Sequence, residues 1–122
     1  MINPNNVKLK RAYEPADSSD GLRFLVDRLW PRGISKERAD LTGGWLKDIA
    51  PSTELRKWFN HQPDRWDQFQ VKYKEELKGS LEQQALNQLK EAAEKQVITL
   101  VYGAKDETEN EAVVIRNVLI EK

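Results

Sequence analysis

Seven residues, "QVITLVY" at 96–102, constrain the fold more than any other stretch of the chain. Val97, Ile98, Thr99 and Val101 are β-branched and Tyr102 closes the run, a composition that fits a strand. A second run, "LRFLVDRLW" at 22–30, has a nearly continuous apolar centre, as expected of a strand covered on both faces. Between these two, apolar residues recur at helical spacing. Strands followed by helices, with the two most apolar strands central, predict an α/β layer fold. Right-handed crossovers make its sheet mainly parallel. The expectation is a mainly parallel four-stranded sheet with helices packed on it, in one domain spanning residues 1–122.

The remaining elements follow from local patterns. In "VKLKRAY" (7–13), Val7, Leu9 and Tyr13 alternate with Lys8 and Lys10, which predicts an edge or half-buried strand. "EPADSSDG" reads as a loop, and Pro31 and Gly33 break the regular structure after the second strand. Ser35 is placed to cap a short helix through Ala39. "GWLKDIA" (44–50) predicts a short third strand stopped by Pro51. Ser52 is then an N-cap with Glu54 in the first turn, and Leu55, Trp58 and Phe59 form a helical face to about Asn60. Trp66, Phe69, Tyr73 and Leu77 make a second helical stripe ending near Gly79. A third helix is expected from Leu81 to Lys95, with Leu81, Ala85, Leu89 and Ala92 inward. Thr108 and Glu111 have capping-box spacing ahead of "AVVIRNVLI", which tips that run to helix.

Charge and cysteine usage narrow the function classes. Lys plus Arg number 20 and Asp plus Glu number 20, so the global field favours neither nucleic acid nor a membrane surface. There is no cysteine, which removes disulfides, thiol nucleophiles and cysteine metal sites, and fits a reducing compartment. "MINPNN" lacks the pattern of a secretory signal, and "VITLVYGA" is too short to span a bilayer. A cytoplasmic protein without membrane association is the expectation. Nothing in the residues specifies a cofactor or an oligomeric state.

Three segments, "VDRLWPRG", "WLKDIAPSTELRKWF" and "ITLVYGAKDETENEA", resemble in order and spacing the YeaO-like branch of the domain of unknown function 488 family. The resemblance covers about residues 7–120 and implies a Rossmann-like α/β fold in a cytoplasmic bacterial protein. It supplies no activity. It also implies a departure: relatives in the wider family carry a cysteine in the last strand and a Cys-His-Arg triplet opening the last helix. The matching positions here are Tyr102 and then Asn110, Glu111 and Ala112, so thiol or metal chemistry does not transfer. Asn110 and Ala112 keep the Asn-x-Ala form of the YeaO-like branch.

In parallel sheets ligands bind beyond the carboxyl ends of the strands. That rule brings together Asp27, Arg28, Trp30 and Arg32 after the second strand, Lys47 and Ser52 after the third, and Tyr102, Lys105 and Asp106 after the last, with Asn110 following. Between Arg23 and Arg38 there are five basic residues against two acidic. Guanidinium groups hold phosphate or carboxylate in a planar fork, and Ser52 at a helix start would add backbone N–H groups. The favoured reading is therefore a site for an anionic small molecule, phosphate- or nucleotide-like. The alternative is an internal ion-pair lattice, with Arg28 or Arg32 paired to Asp27, Asp48 or Asp106. Asp27 has the residue type of a general base, and with Asp106 of a Mg²⁺ ligand, but a structural partner is the commoner role. No metal site is assigned. Trp30 and Tyr102 are candidates for a ligand wall, whereas Trp58 and Trp66 lie on helical core faces. His61, the only histidine, sits in a turn where it would close a helix end. Two other functions stay open: a nucleic-acid-binding regulator, which neutral charge disfavours, and an interaction module without ligand chemistry.

Overall fold

The computed structural model describes residues 2–121. Its strands are β1 (Val7–Arg11), β2 (Leu22–Leu25), β3 (Gly44–Trp45) and β4 (Ile98–Tyr102). They form one sheet in the order β1-β4-β2-β3 with every pairing parallel. The two apolar strands are the central pair, and the Lys-bearing β1 is an edge. Helices α1 (Lys36–Ala39), α2 (Thr53–Phe59), α3 (Trp66–Glu76), α4 (Ser80–Lys95) and α5 (Glu111–Ile120) complete the α/β architecture. Among the described residues no helix is long and apolar enough to cross a membrane.

The pleat of β2 and β4 divides the core. Phe24, Val26, Ile98, Leu100 and Tyr102 face the larger cluster, built with residues of α2 to α5 such as Leu55, Phe69, Tyr73, Leu89 and Ile115. Leu25 and Val101 face the opposite way and meet Ala12, Trp30, Leu41 and Trp45. The second face is thus closed by connecting chain, the single turn of α1 and two tryptophans packed edge to face at 5.4 Å between centroids. The four longer helices lie on one side, so the layers are less symmetric than in a doubly wound sheet.

Caps explain most helix boundaries. Ser35, Ser52 and Asn110 each accept a backbone N–H of the first turn through the side chain, and Asn60 ends α2 in the left-handed conformation. The α5 cap is therefore Asn110 rather than Thr108. Asp106 explains the difference: its Oδ1 accepts the Thr108 and Glu109 N–H groups, which draws that segment into a turn before the helix begins. Two backbone hydrogen bonds also hold the Asp106 carboxyl below its usual range.

Other expectations need correction. β2 stops at Leu25; Val26 N–H still reaches the Val101 carbonyl at 3.1 Å, and then the chain leaves the ladder. The segment passes from one core to the other: Val26 lies in the larger cluster, Leu29 is 58% exposed, and Trp30 packs in the second, its Nε1 donating to the Ile34 carbonyl at 2.6 Å. β3 has two residues and gives way to a 3-10 turn at Lys47–Ile49. The loop before β2 contains another 3-10 turn, Ser18–Asp20, closed by a capping box between Asp17 and Asp20. On α4 the inward positions are Ala85, Leu86, Leu89 and Ala93, while Leu81 is 55% exposed. Tyr13 lies beyond β1 at 37% exposure, with its hydroxyl donating to the Arg32 carbonyl.

Sequence patterns also hide the most buried charge. Arg23 is 1% exposed on the second face of β2. Its Nη1 meets Asp20 Oδ2 at 2.7 Å, while Nε and Nη2 donate to the Ala39 carbonyl at 3.0 and 2.9 Å. Lys10 binds the same Asp20 carboxylate at 3.0 Å. This network ties β1, β2 and the end of α1 together.

Candidate functional site

Chain direction creates a crevice between the two central strands. After β2 the chain turns toward Trp30 and the second face; after β4 it enters α5 on the first face. Adjacent strands whose continuations diverge leave a gap beyond their carboxyl ends. The gap is a cleft of about 240 Å³, lined by Asp27, Arg28 and Leu29 after β2, Gly103 and Ala104 after β4, and Glu109, Asn110 and Glu111 at the start of α5. Ala50 and Pro51 ahead of α2, Arg56, Phe59 and His61 at its far end, and Phe69 of α3 complete the wall.

Asp27 is fixed from both sides. Its Oδ2 accepts the Gly103 N–H at 2.8 Å, and its carbonyl accepts Trp45 Nε1 at 2.7 Å. A Cβ at Gly103 would sit 3.0 Å from Oδ2, so the glycine permits this approach. Oδ1 is buried and has no protein partner among the hydrogen bonds of the described residues. Glu111 supplies the neighbouring group. Burial pushes its carboxyl well above the usual range, and the neighbouring Asp27 charge acts in the same direction; Arg56 offsets them in part. Of the two carboxyls, Glu111 is therefore the one held toward its neutral form. Beneath them Tyr73 is fully buried, its hydroxyl donating to the Ile49 carbonyl. Burial, and then the Glu111 charge, raise its phenol, which stays neutral.

The cations of the wall are not consumed by carboxylates. Arg28 donates from Nε to the Pro51 carbonyl at 3.3 Å and from Nη2 to that of Ala50 at 3.2 Å. Among the described residues the ion pairs are Lys10–Asp20, Arg23–Asp20, Lys74–Glu121 and Lys78–Glu75, which include neither Arg28, Arg32 nor Arg56. An ion-pair lattice around Arg28 and Arg32 is therefore not formed.

Of the residues singled out from sequence, Asp27, Arg28 and Asn110 line the cleft. Asn110 is buried, with Oδ1 capping α5 and Nδ2 donating to the Asp106 carbonyl at 2.8 Å. Ser52 does start a helix as expected, but its N–H and hydroxyl are taken by Glu76 at 2.8 and 2.5 Å, so the anion at that helix start is the protein's own. Trp30 packs in the second core. Arg32 is exposed on its turn. Lys47 lies over the Trp45 ring at 4.1 Å, in a separate shallow groove with Asp48, Leu81 and Gln88. Tyr102 is buried at the end of β4, and burial raises its phenol. Lys105 and Asp106 are exposed in the loop outside the cleft lining, so Asp27 and Asp106 do not share a site. Among the described residues no group of three or more His, Asp or Glu side chains is clustered to hold a metal.

Glu111, Arg56 and His61 complete the lining without having been singled out as ligand groups. Glu111 reads as a capping residue from its spacing to Thr108, and no sequence pattern singles out Arg56. His61 follows the end of α2 but the cap is Asn60; His61 has φ at 52° and its ring lies 6.1 Å from Phe59.

The molecule is thus a parallel α/β protein with a small carboxyl- and arginine-lined cleft at the diverging ends of its central strands. Residues 6–122 match the family model DUF488-N3i, described as the inactive DUF488-N3 subclade, and the chain belongs to this family. It is similar to the uncharacterized protein YeaO of Escherichia coli K12, 46% identical over 110 residues covering 90% of this chain and 93% of that one. It is also similar to the uncharacterized protein Rv3073c of Mycobacterium tuberculosis, 41% identical over 119 residues and 98% of each chain. No solved structure matches.

Proposed function

We propose that the protein binds a small molecule in this cleft through an anionic group, phosphate or carboxylate, and does not turn it over. The observation that carries the reading is the pair Arg28 and Arg56, which share the cleft wall and have no carboxylate partner among the described residues. Arg28 is steadied by two carbonyls, which fix its guanidinium without cancelling its charge. Both arginines stand at the exposed rim of the cleft, with apolar surface from Pro51, Phe59 and Phe69 beside them, and a guanidinium holds an anion in a two-bond fork. At about 240 Å³ the cleft is smaller than the usual pocket for drug-sized ligands, so a phosphate or small acid fits better than a whole nucleotide.

Lack of turnover is supported by the composition of the site. Its lining has no thiol or hydroxyl nucleophile, and the family model is described as an inactive subclade. The Asp27–Glu111 pair could still exchange a proton, but it faces no activated nucleophile. We place the protein in the cytoplasm, which a chain without cysteine suits.

Thermal unfolding against phosphates, nucleotides and carboxylates tests this reading. At a ligand concentration 100-fold above Kd, binding to the folded state alone adds about 2.7 kcal/mol, or roughly 10 °C in midpoint for a domain of this size. Arg56→Ala is expected to stay folded, since the side chain is exposed, and to lose most of that shift. No shift with any anion, or an undiminished shift in Arg56→Ala, rules the site out.

A further inference from the structure

We infer that the ligand is a zwitterion, an α-amino acid with an apolar side chain, whose carboxylate is held by Arg56 and Arg28 and whose ammonium is held by Asp27 and Glu111. This rests on the anion reading of the cleft and narrows it.

Charge balance is the first argument. The lining contains two arginines, and against them Asp27, Glu109 and Glu111. With Glu111 held toward its neutral form, the two arginines balance Asp27 and Glu109, so the cleft by itself is close to neutral. A dianion would enter with no cation left to offset it. A ligand of zero net charge brings no excess charge of its own, and its separated charges give both halves of the site a partner.

The second argument is the unpartnered acceptor. Asp27 Oδ1 is buried in a structure where its sibling Oδ2 is held by the Gly103 N–H at 2.8 Å. A carboxylate oxygen buried without a donor is costly. Glu111 beside it is held toward its neutral form, the state of a carboxyl pair lacking a cation. An ammonium brings both the cation and three donors. On its arrival Glu111 gives its proton to solvent and becomes a second carboxylate partner, so binding releases a proton. The third argument is the wall. Leu29, Phe59 and Phe69 offer hydrocarbon rather than hydrogen bonds, and a small apolar side chain fits that surface and the volume.

The test uses the full-length protein, with leucine and phenylalanine as probes. Their amine-free acids, the matching amines and inorganic phosphate serve as comparisons. Calorimetric titration is run in buffers of differing ionisation enthalpy, which reports protons exchanged on binding. The expected result is amino-acid binding that weakens by about tenfold or more when either charged end is removed, with net proton release. Glu111→Gln is expected to stay folded, to bind the amino acid more weakly and to release no proton; Arg56→Ala is expected to lose the preference for a carboxylate. If phosphate or the amine-free acid binds as tightly as the amino acid and needs Arg56, the zwitterion inference is overturned and the anion site stands. If none of the compounds binds, both are overturned.

Discussion

Asp20→Asn costs about 3–5 kcal/mol of folding free energy, the effect of removing one partner from a buried ion pair, and lowers the unfolding midpoint by roughly 10–20 °C. The replacement removes the one negative charge facing Arg23, 1% exposed, and leaves it neutral acceptors such as the Ala39 carbonyl; Lys10 likewise loses its ion pair and keeps only the Pro15 carbonyl and a neutral amide. The same exchange at the surface does little. Lys74–Glu121 and Lys78–Glu75 have side chains 44% to 71% exposed, and breaking either costs about 0–1 kcal/mol. Urea unfolding of the three variants beside the wild type separates the cases. A loss below about 1 kcal/mol for Asp20→Asn would show that the network contributes little to holding β1, β2 and α1 together.

The pH dependence of this effect has a definite sign. Burial alone would raise the Asp20 carboxyl, but hydrogen bonds from Lys10, the Asp17 N–H and Arg23 outweigh it and the carboxyl lies below its ordinary 3.8. Its folded form therefore holds its proton less well than its unfolded form. The stabilisation is present above pH about 4 and is lost as the pH falls further, so wild type and Asp20→Asn converge in acid.

Glu111→Gln has the opposite profile. Glu111 binds its proton more tightly folded than unfolded, chiefly through burial and then the Asp27 charge. Below its ordinary 4.5 both states are protonated and nothing is lost. As the pH rises past that value the unfolded chain ionises freely while the folded one does not, and the wild type loses stability until the folded carboxyl also titrates. Glutamine keeps a donor toward Asp27 and has no proton to lose. The variant is therefore expected to equal the wild type near pH 4 and to exceed it at pH 8, the gap widening between. Arg56 acts against the effect, and the neutral Tyr73 phenol below contributes no charge. A gap that does not change with pH would mean that Glu111 is ionised in the folded protein.

These features differ in how far the sequence discloses them. β4 was readable because its apolar, β-branched residues need no information beyond themselves, and α2 because Ser52 and Asn60 bracket a short amphipathic face. The end of β2 was not. Past Leu25 the chain passes from one core to the other, a tertiary event that no local pattern marks. Arg23 was hidden for a related cause: an arginine in a strand reads as solvent-facing until a loop carboxylate and a helix-end carbonyl converge on it. The cleft was partly legible. Asp27, Arg28 and Asn110 follow strand ends, where parallel topology collects them. Arg56 lies on a helix with nothing local to mark it. Ser52 misled because the cap was right and its anion, Glu76, comes from a helix 24 residues away in sequence.

Amide chemical-shift mapping of the pure protein, titrated with an apolar amino acid and with its amine-free acid, tests the central claim most directly. A ligand in the cleft moves the Gly103, Glu111 and Ala112 amides together and saturably, and leaves those of Arg23 and β1 in place. Shifts centred instead on Trp30 and Arg32, or none with either compound, would contradict a ligand site between β2 and β4.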